Sequence, residues 1–399
     1  MSVRFPKDWP EVSAGDAFER VVRPVSVLPD QSYREIGIRS HGKGIFHKPA
    51  VLGRSLGDKR VFQVEPDCLI LNIVFAWEQA VARTTEREVG LIASHRFPMY
   101  RPKDDRALVD FVLYFLKSKL GRNLLEIGSP GGAGRNKTLS QREFEDLPLR
   151  LPAVDEQRRI VAILETWDRA IEQIEVLIAA RRQRKTSLVQ KLFRNLPRQA
   201  LLDAADVWFS GVDKKSKAGE VPVRLCNYMD VFHNTRITAE LDFMRATATV
   251  SEIEGNTVRK GDVVFTKDSE TKEEIAEPAL VADDIEGLVC GYHLAIARPH
   301  KGVGHGPFLA QAMRHSEMRW QFSRLANGVV RFGLTLDAIE QAEIFLPPLP
   351  VQERIAAVLD AEDDAIEALT KQLNGMRQQK RGLMQKLLTG QWRLGDDFE

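Results

Sequence analysis

The chain has 399 residues, 43% hydrophobic and 28% charged, with a net charge of +1. That length supports two or three domains with cores of their own, and so small a net charge means that any basic surface must be local. Cys68, Cys226 and Cys290 lie far apart without CxxC spacing, which argues against a zinc site or a disulfide framework and suits a reducing cytoplasm.

The start, MSVRFPKDWPEVSAGD, has no apolar signal-type segment. The longest near-apolar stretch, CLILNIVFAW at 68–77, is broken by Asn72 and is half of the roughly 20 residues a spanning helix needs. A cytoplasmic protein without membrane contact is expected. Within 1–150, YREIGI, AVLG, CLILNIVF and GLIAS read as strands and RALVDFVLYFLKSKL (106–120) as a helix. Residues 151–197 read as one long helix. Within 198–345, VPVRLCNYMDVF, DVVFT, PALVA and YHLAIA read as strands and FLAQAMRHSEMRWQFSRLA (308–326) as a helix; 346–394 read as a second long helix. The fold class is α+β: two α/β domains in tandem, each followed by a long helix.

The two helical segments repeat one another. Laying 151–193 on 346–388 without a gap gives 18 identities in 43 positions, among them Gln157/Gln352, Ile160/Ile355, Leu164/Leu359, Asp168/Asp363, Ile171/Ile366 and Lys185/Lys380. Fainter similarity reaches upstream: PDCLILN (66–72) aligns with GDVVFTK (261–267), and GLIASHRFPMYRP (90–102) with GLVCGYHLAIARP (287–299). Such a period marks a duplicated architecture.

Ile160, Leu164, Trp167, Ile171, Ile174 and Ile178 follow 4-3-4-3-4 spacing, as do Ile355, Leu359, Glu362, Ile366, Leu369 and Leu373. That is coiled-coil spacing. Asp155 is the expected N-cap of the first helix, and Pro350 suits the first turn of the second. At 1.5 Å per residue, Asp155 to Asn195 gives a helix of about 60 Å. Each helix begins acidic (Asp155, Glu156, Glu165, Asp168; Asp360, Glu362, Asp363, Asp364) and ends basic (Arg181, Arg182, Arg184, Lys185; Arg377, Lys380, Arg381, Lys386). Part of this complements the helix dipole. Antiparallel pairing also brings unlike charges together, as pseudo-twofold symmetry would require. An antiparallel pair with a domain near each end is expected, with Gln157 and Gln352 grouped with the heptad residues as the pairing and partner-docking surface.

Loop residues able to reach base edges or phosphates recur in both halves. In the first they are Arg39, Ser40, His41 and Lys43, then His95 and Arg96, then Arg135, Asn136 and Lys137. In the second they are His233, Asn234, Thr235 and Arg236, then Lys267, Ser269 and Lys272, then Tyr292 and His293, then Asn327 and Arg331. Any one alone is an ordinary solvated residue; clustered at equivalent places they have the chemistry of base and phosphate contact.

Catalytic signals are weak. GSPGGAGRNKT (128–138) has Asn136 where a phosphate loop needs glycine. Neither a GxGxxG fingerprint nor an Asn/Asp-Pro-Pro-aromatic tetrad occurs. Glu270-Thr271-Lys272 with Asp262 could serve a metal-dependent nuclease, but the matching first-half triplet, WEQ, lacks the lysine. The expectation is no catalytic residue and no metal.

Two variable α+β domains, each followed by LP-x-x-x-x-Q-x-x-I and a long heptad helix, resemble the specificity (S) subunits of type I restriction–modification systems. The resemblance covers nearly the whole chain. It implies that each target-recognition domain reads half of a bipartite, asymmetric DNA site. It also implies that the antiparallel helices set the gap and dock two methyltransferase (M) subunits. The chain would be a non-catalytic targeting subunit of an endonuclease and adenine-N6 methyltransferase complex. S-adenosylmethionine would then belong to the M partner, and ATP and Mg to the motor-nuclease (R) partner, with no cofactor in this chain. Three alternatives stay open: a specificity subunit of a related methylation-based defence system without the motor, a coiled-coil adaptor that binds no DNA, or a self-sufficient nuclease using Glu270.

Overall fold

The computed structural model describes residues 4–131 and 137–394. Contacts divide the chain into two compact units, Met1–Glu175 with Lys371–Glu399, and Val176–Thr370. Each is centred on a sheet of the same topology. In the first, strands Phe18–Val21, Met99–Pro102, Leu69–Leu71 and Val81–Arg83 lie side by side in that order, all antiparallel. In the second, Ala205–Phe209, Leu294–Pro299, Val263–Thr266 and Pro278–Val281 repeat the order, and Arg236–Ile237 adds a parallel edge strand. The central strands are apolar without alternation because both faces are covered. Leu69 and Leu71 pack with Phe111 and Phe115 while Ile70 faces Ile36 and Met99; Val263 and Phe265 pack with Phe308 and Phe322 while Val264 faces Val231 and Ile237.

A further sheet completes each domain, Ile45–Leu52, Ser32–Ile38, Ile92–Ser94 and Val61–Gln63 in the first, and Met244–Ala248, Val221–Cys226 and Leu288–Cys290 in the second. Short ribbons tie each domain's entry to its exit: Glu11–Ser13 pairs with Pro148–Arg150, and Arg198–Ala200 with Glu343–Phe345.

Several elements differ from the pattern expected of the sequence. The 106–120 helix is two, Val109–Lys117 and Lys119–Ile127. Ser118 leaves the helix at φ −73°, ψ 169°, and its hydroxyl accepts from Gly121 N–H to start the second. The 308–326 helix breaks at the matching place into Gly306–Met313 and Ser316–Leu325, where His315 Nδ1 accepts from Glu317 N–H. Apolar periodicity ran through both breaks; side-chain capping made them. The 221–232 run is a strand only to Cys226, because Asn227 and Asp230 form a capping box that starts helix Tyr228–His233. The 68–75 run is a strand only over Leu69–Leu71, and Asn72 Oδ1 accepts from Val74 N–H to turn the chain.

The long helices span Val154–Leu192 and Leu349–Leu388. The first starts one residue before Asp155, so Asp155 lies in the first turn rather than at the N-cap; its carboxylate pairs with Arg158. In the first unit the helical segments run antiparallel: Ile160 and Leu164 share a core with Leu387 and Leu388, and Asp168 pairs with Lys380 and Glu175 with Arg377. In the second unit Leu188 and Leu192 pack by Ile355 and Leu359, while Arg181 meets Glu362 at 3.3 Å and Lys185 meets Asp363 at 2.6 Å. Acidic starts do meet basic ends. Among the described residues no helix is long and apolar enough to cross a membrane.

Candidate nucleic-acid interface

In the first domain, one short segment, Ile73–Gln79, gathers three of the loops singled out above. Glu78 accepts from the Ser40 hydroxyl at 2.8 Å, and the carbonyls of Glu78 and Gln79 take the N–H groups of His41 and Gly42. Ile73 N–H donates to the Arg96 carbonyl, and the Ile73 carbonyl accepts from Leu139 N–H. His41 sits at φ +60°, a conformation His tolerates better than most residues. Arg39, His41, Lys43 and Arg96 are exposed on this scaffold, with the Arg39 guanidinium 4.8 Å from the centre of the Phe46 ring. His95 is half-buried. Lys137 is bound to Glu126 at 3.0 Å and lies over the Trp77 ring. Arg135 and Asn136 lie outside the described residues.

The second domain uses the equivalent place. Lys267 N–H donates to the His293 carbonyl, the Lys267 carbonyl accepts from Leu334 N–H, and Asp268–Ser269 pairs with Phe332–Gly333. Asp268 accepts from His293 Nδ1 at 2.6 Å and Lys267 Nζ at 2.7 Å. Burial opposes its ionisation, but the hydrogen bonds from Lys267 and His293 outweigh it and hold the carboxyl below its usual range. Lys272 lies over the Phe332 ring, Tyr292 packs on His293, and Asn327 and Arg331 are exposed. The Ser269 hydroxyl is turned inward onto the Thr271 carbonyl. His233 and Thr235 are exposed, but Asn234 is bonded back to the Asp230 carbonyl.

Arg236 is a correction. Its guanidinium is tied to Asp364 and lies 3.8 Å from Asp360 on the long helix, so it fastens domain to helix and is not free for DNA. Asp262 of the nuclease set is buried and held by Arg298 Nε and Nη2 at 2.9 and 2.7 Å.

Gln157 and Gln352 are the second correction. Both are fully buried, with every side-chain polar atom engaged within their own domain. Gln157 Nε2 donates to the carbonyls of Arg106 and Pro152, and its Oε1 accepts from Leu108 N–H. Gln352 Nε2 donates to Val303 and Pro347, and its Oε1 accepts from His305 N–H. The same three bonds recur in both halves, joining the proline lead-in and a domain loop to the long helix. Ile160, Leu164, Ile355 and Leu359 are likewise sealed in the domain cores and unavailable to a partner. Trp167, Ile171, Ile174, Ile366 and Leu369 are half-buried, and Leu373 is buried.

One joint was invisible in the sequence. Asp168 takes the Tyr114 hydroxyl at 2.6 Å as well as Lys380; Asp363 takes Gln311 Nε2 at 2.8 Å as well as Lys185. The identities Asp168/Asp363 and Lys185/Lys380 were legible, but their third partners differ in type, Tyr against Gln, and left no signal.

Comparison with known proteins agrees with this duplicated design. The sequence profile described as "Type I restriction modification DNA specificity domain" matches twice, over residues 63–180 and 228–376. A Methanocaldococcus jannaschii protein named as the specificity subunit of a type I restriction enzyme, MjaX, is 24% identical over 328 residues, 74% of this chain and 71% of that protein. The fold resembles that of the type I restriction-modification S subunit from M. genitalium, with a TM-score of 0.61 and 14% identity over 97% of this chain and 98% of that one. It also resembles a chain solved in work on the complex assembly and conformational transition of a type I R-M system, with a TM-score of 0.58 and 17% identity over 98% and 100%. Since the two profile matches take in more than half of its residues, the chain belongs to the type I restriction–modification DNA specificity family.

Proposed function

We propose that this specificity subunit reads a bipartite, asymmetric DNA site, one half with each domain, while its paired long helices set the gap between the halves. The observation that carries this is the duplicated scaffold: the same strand order gathers basic and polar loops at Ile73–Gln79 and at Lys267–Ser269, while the loop residues themselves differ. Two unlike readers on one repeated frame suit two unlike half-sites. Two methyltransferase subunits would dock on the remaining helix surface, where Val176, Leu177 and Val358 are exposed, and would bring S-adenosylmethionine. Motor-nuclease subunits with ATP and Mg would complete the restriction complex. Lysine and arginine contacts to phosphate would supply most of the affinity, and base contacts the discrimination.

Single-molecule methylation mapping in cells carrying this chain and its methyltransferase partner tests the reading. A split adenine-methylated motif is expected. Replacing residues 39–43 by the loop of a relative should change one half of the motif only. A continuous motif, or a change in both halves, would refute the division of labour.

A further inference from the structure

In the second domain, Ser269, His293 and Arg331 line one cleft of about 570 Å³, walled by Tyr228, Phe232 and Phe332. The Tyr228 and Phe232 rings stack with centroids 5.5 Å apart and 18° between planes. Glu270 and Glu274 face the same space. Asp268 is already occupied by His293 and Lys267, but among the described residues the side chains of Glu270, Glu274 and Arg331 make no hydrogen bond or ion pair. Glu270 and Glu274 share the lining with Tyr228, and burial, then Glu274 and Glu270, raise its phenol.

Such a cleft has a definite ligand chemistry. Aromatic faces favour a planar ring, unpaired carboxylates accept from an exocyclic amine, and an arginine donates to ring nitrogens or carbonyls. The carboxylates repel phosphate, so the DNA backbone is not what enters. A base stacked in a duplex cannot enter a concave cleft; it must leave the stack.

The hairpin beside the cleft supplies what extrusion requires. Asn327 pairs with Gly333 and Gly328 with Phe332, so Val329, Val330 and Arg331 form the turn. Gly328 has φ +142°, and a Cβ there would lie 1.8 Å from the Arg331 carbonyl oxygen; glycine is what lets the turn close. Val329 and Val330 at its tip are 91% and 84% exposed. Proteins that kink DNA insert apolar side chains between base steps, and this tip presents two. The strand directly after the tip forms the cleft wall, so one hairpin carries both wedge and wall.

We propose that the second domain reads its half-site with one base extruded. Val329 and Val330 enter the stack, and the displaced base, one bearing an exocyclic amine, lies against Tyr228, Phe232 and Phe332 with its amine on Glu270 or Glu274. This rests on the DNA-reading role proposed above and deepens it.

The test uses the complex with its methyltransferase partner and duplexes of the mapped site. These carry 2-aminopurine at each purine, or pyrrolocytosine at each cytosine, of the half-site assigned to this domain. A several-fold fluorescence rise on binding is expected at one position outside the methylated adenine, lost in a V329S/V330S variant, which removes the apolar tip but keeps a Cβ at both positions. Tyr228→Ala should weaken binding to the cognate duplex more than to one already altered in this domain's own half-site, and by the same factor when only the other half-site is altered. Flat fluorescence at every such position, from a complex that still methylates the site, would overturn extrusion while sparing the DNA-reading role. Flat fluorescence together with loss of the methyltransferase from Tyr228→Ala would assign the cleft to a protein partner instead. A complex that retains no cognate duplex preferentially would sink both.

Discussion

Gln157 and Gln352 show how much one side chain can organise. Each satisfies two carbonyls and one N–H that would otherwise be buried without partners. Leucine at either place keeps the volume but orphans all three groups, at a cost of about 2–4 kcal/mol. Hydrogen exchange should locate the damage: Gln352→Leu should unprotect the His305 amide and leave Leu108 protected, and Gln157→Leu should do the reverse. Equal loss at both would mean the joints are not local. His315 offers a second, pH-dependent case. Its ring packs against both Phe193 and Phe345 and its Nδ1 accepts from Glu317 N–H, so the neutral form is the one that fits. Burial, then Arg198, lowers its pKa from 6.5. The unfolded chain therefore binds the proton more readily, and this contribution to stability is full above about pH 6.5 and lost as pH falls below it. Asparagine can cap the helix but does not titrate. The urea midpoint of His315→Asn should fall less than wild type between pH 7.5 and 5.5; an equal fall would assign the pH dependence elsewhere.

At the scale of elements, the charged heptad positions decide pairing. Lys185 and Asp363 are each only about one-fifth exposed and in direct contact, so screening weakens them less than a surface pair. Either charge reversal alone leaves like charges facing each other. The double exchange, Lys185→Asp with Asp363→Lys, should recover about 1–3 kcal/mol of the sum of the single losses. A coupling near zero in urea unfolding would reduce the pair to an incidental contact. The heptads were legible because the apolar positions keep their spacing for several turns. The breaks at Ser118 and His315 were not, since periodicity continues through both and only the capping geometry shows that the backbone leaves the helix. Asn72 and Asn227 truncated expected strands in the same way, through side-chain bonds to nearby backbone.

For the whole molecule, the proposed separation of reading from spacing makes a prediction that involves no single contact. Adding one heptad to both long helices preserves the buried face. Methylation maps of such a variant should show the same two half-sites with a changed gap. An altered half-site, or an unchanged gap, would disconnect the helices from the spacing.

Duplication, the α+β class, the heptads and their charge gradient follow from sequence, because each is a pattern of residue type along the chain and survives without coordinates. The folded chain alone decided which of those residues are used up inside. Gln157, Gln352 and Arg236 looked available and are spent on fastening domain to helix, whereas Tyr228 and Phe232, unremarkable in sequence, meet Glu270 around one cleft. Burial and hydrogen-bond partnership arise from segments far apart in the chain, and no local pattern encodes them.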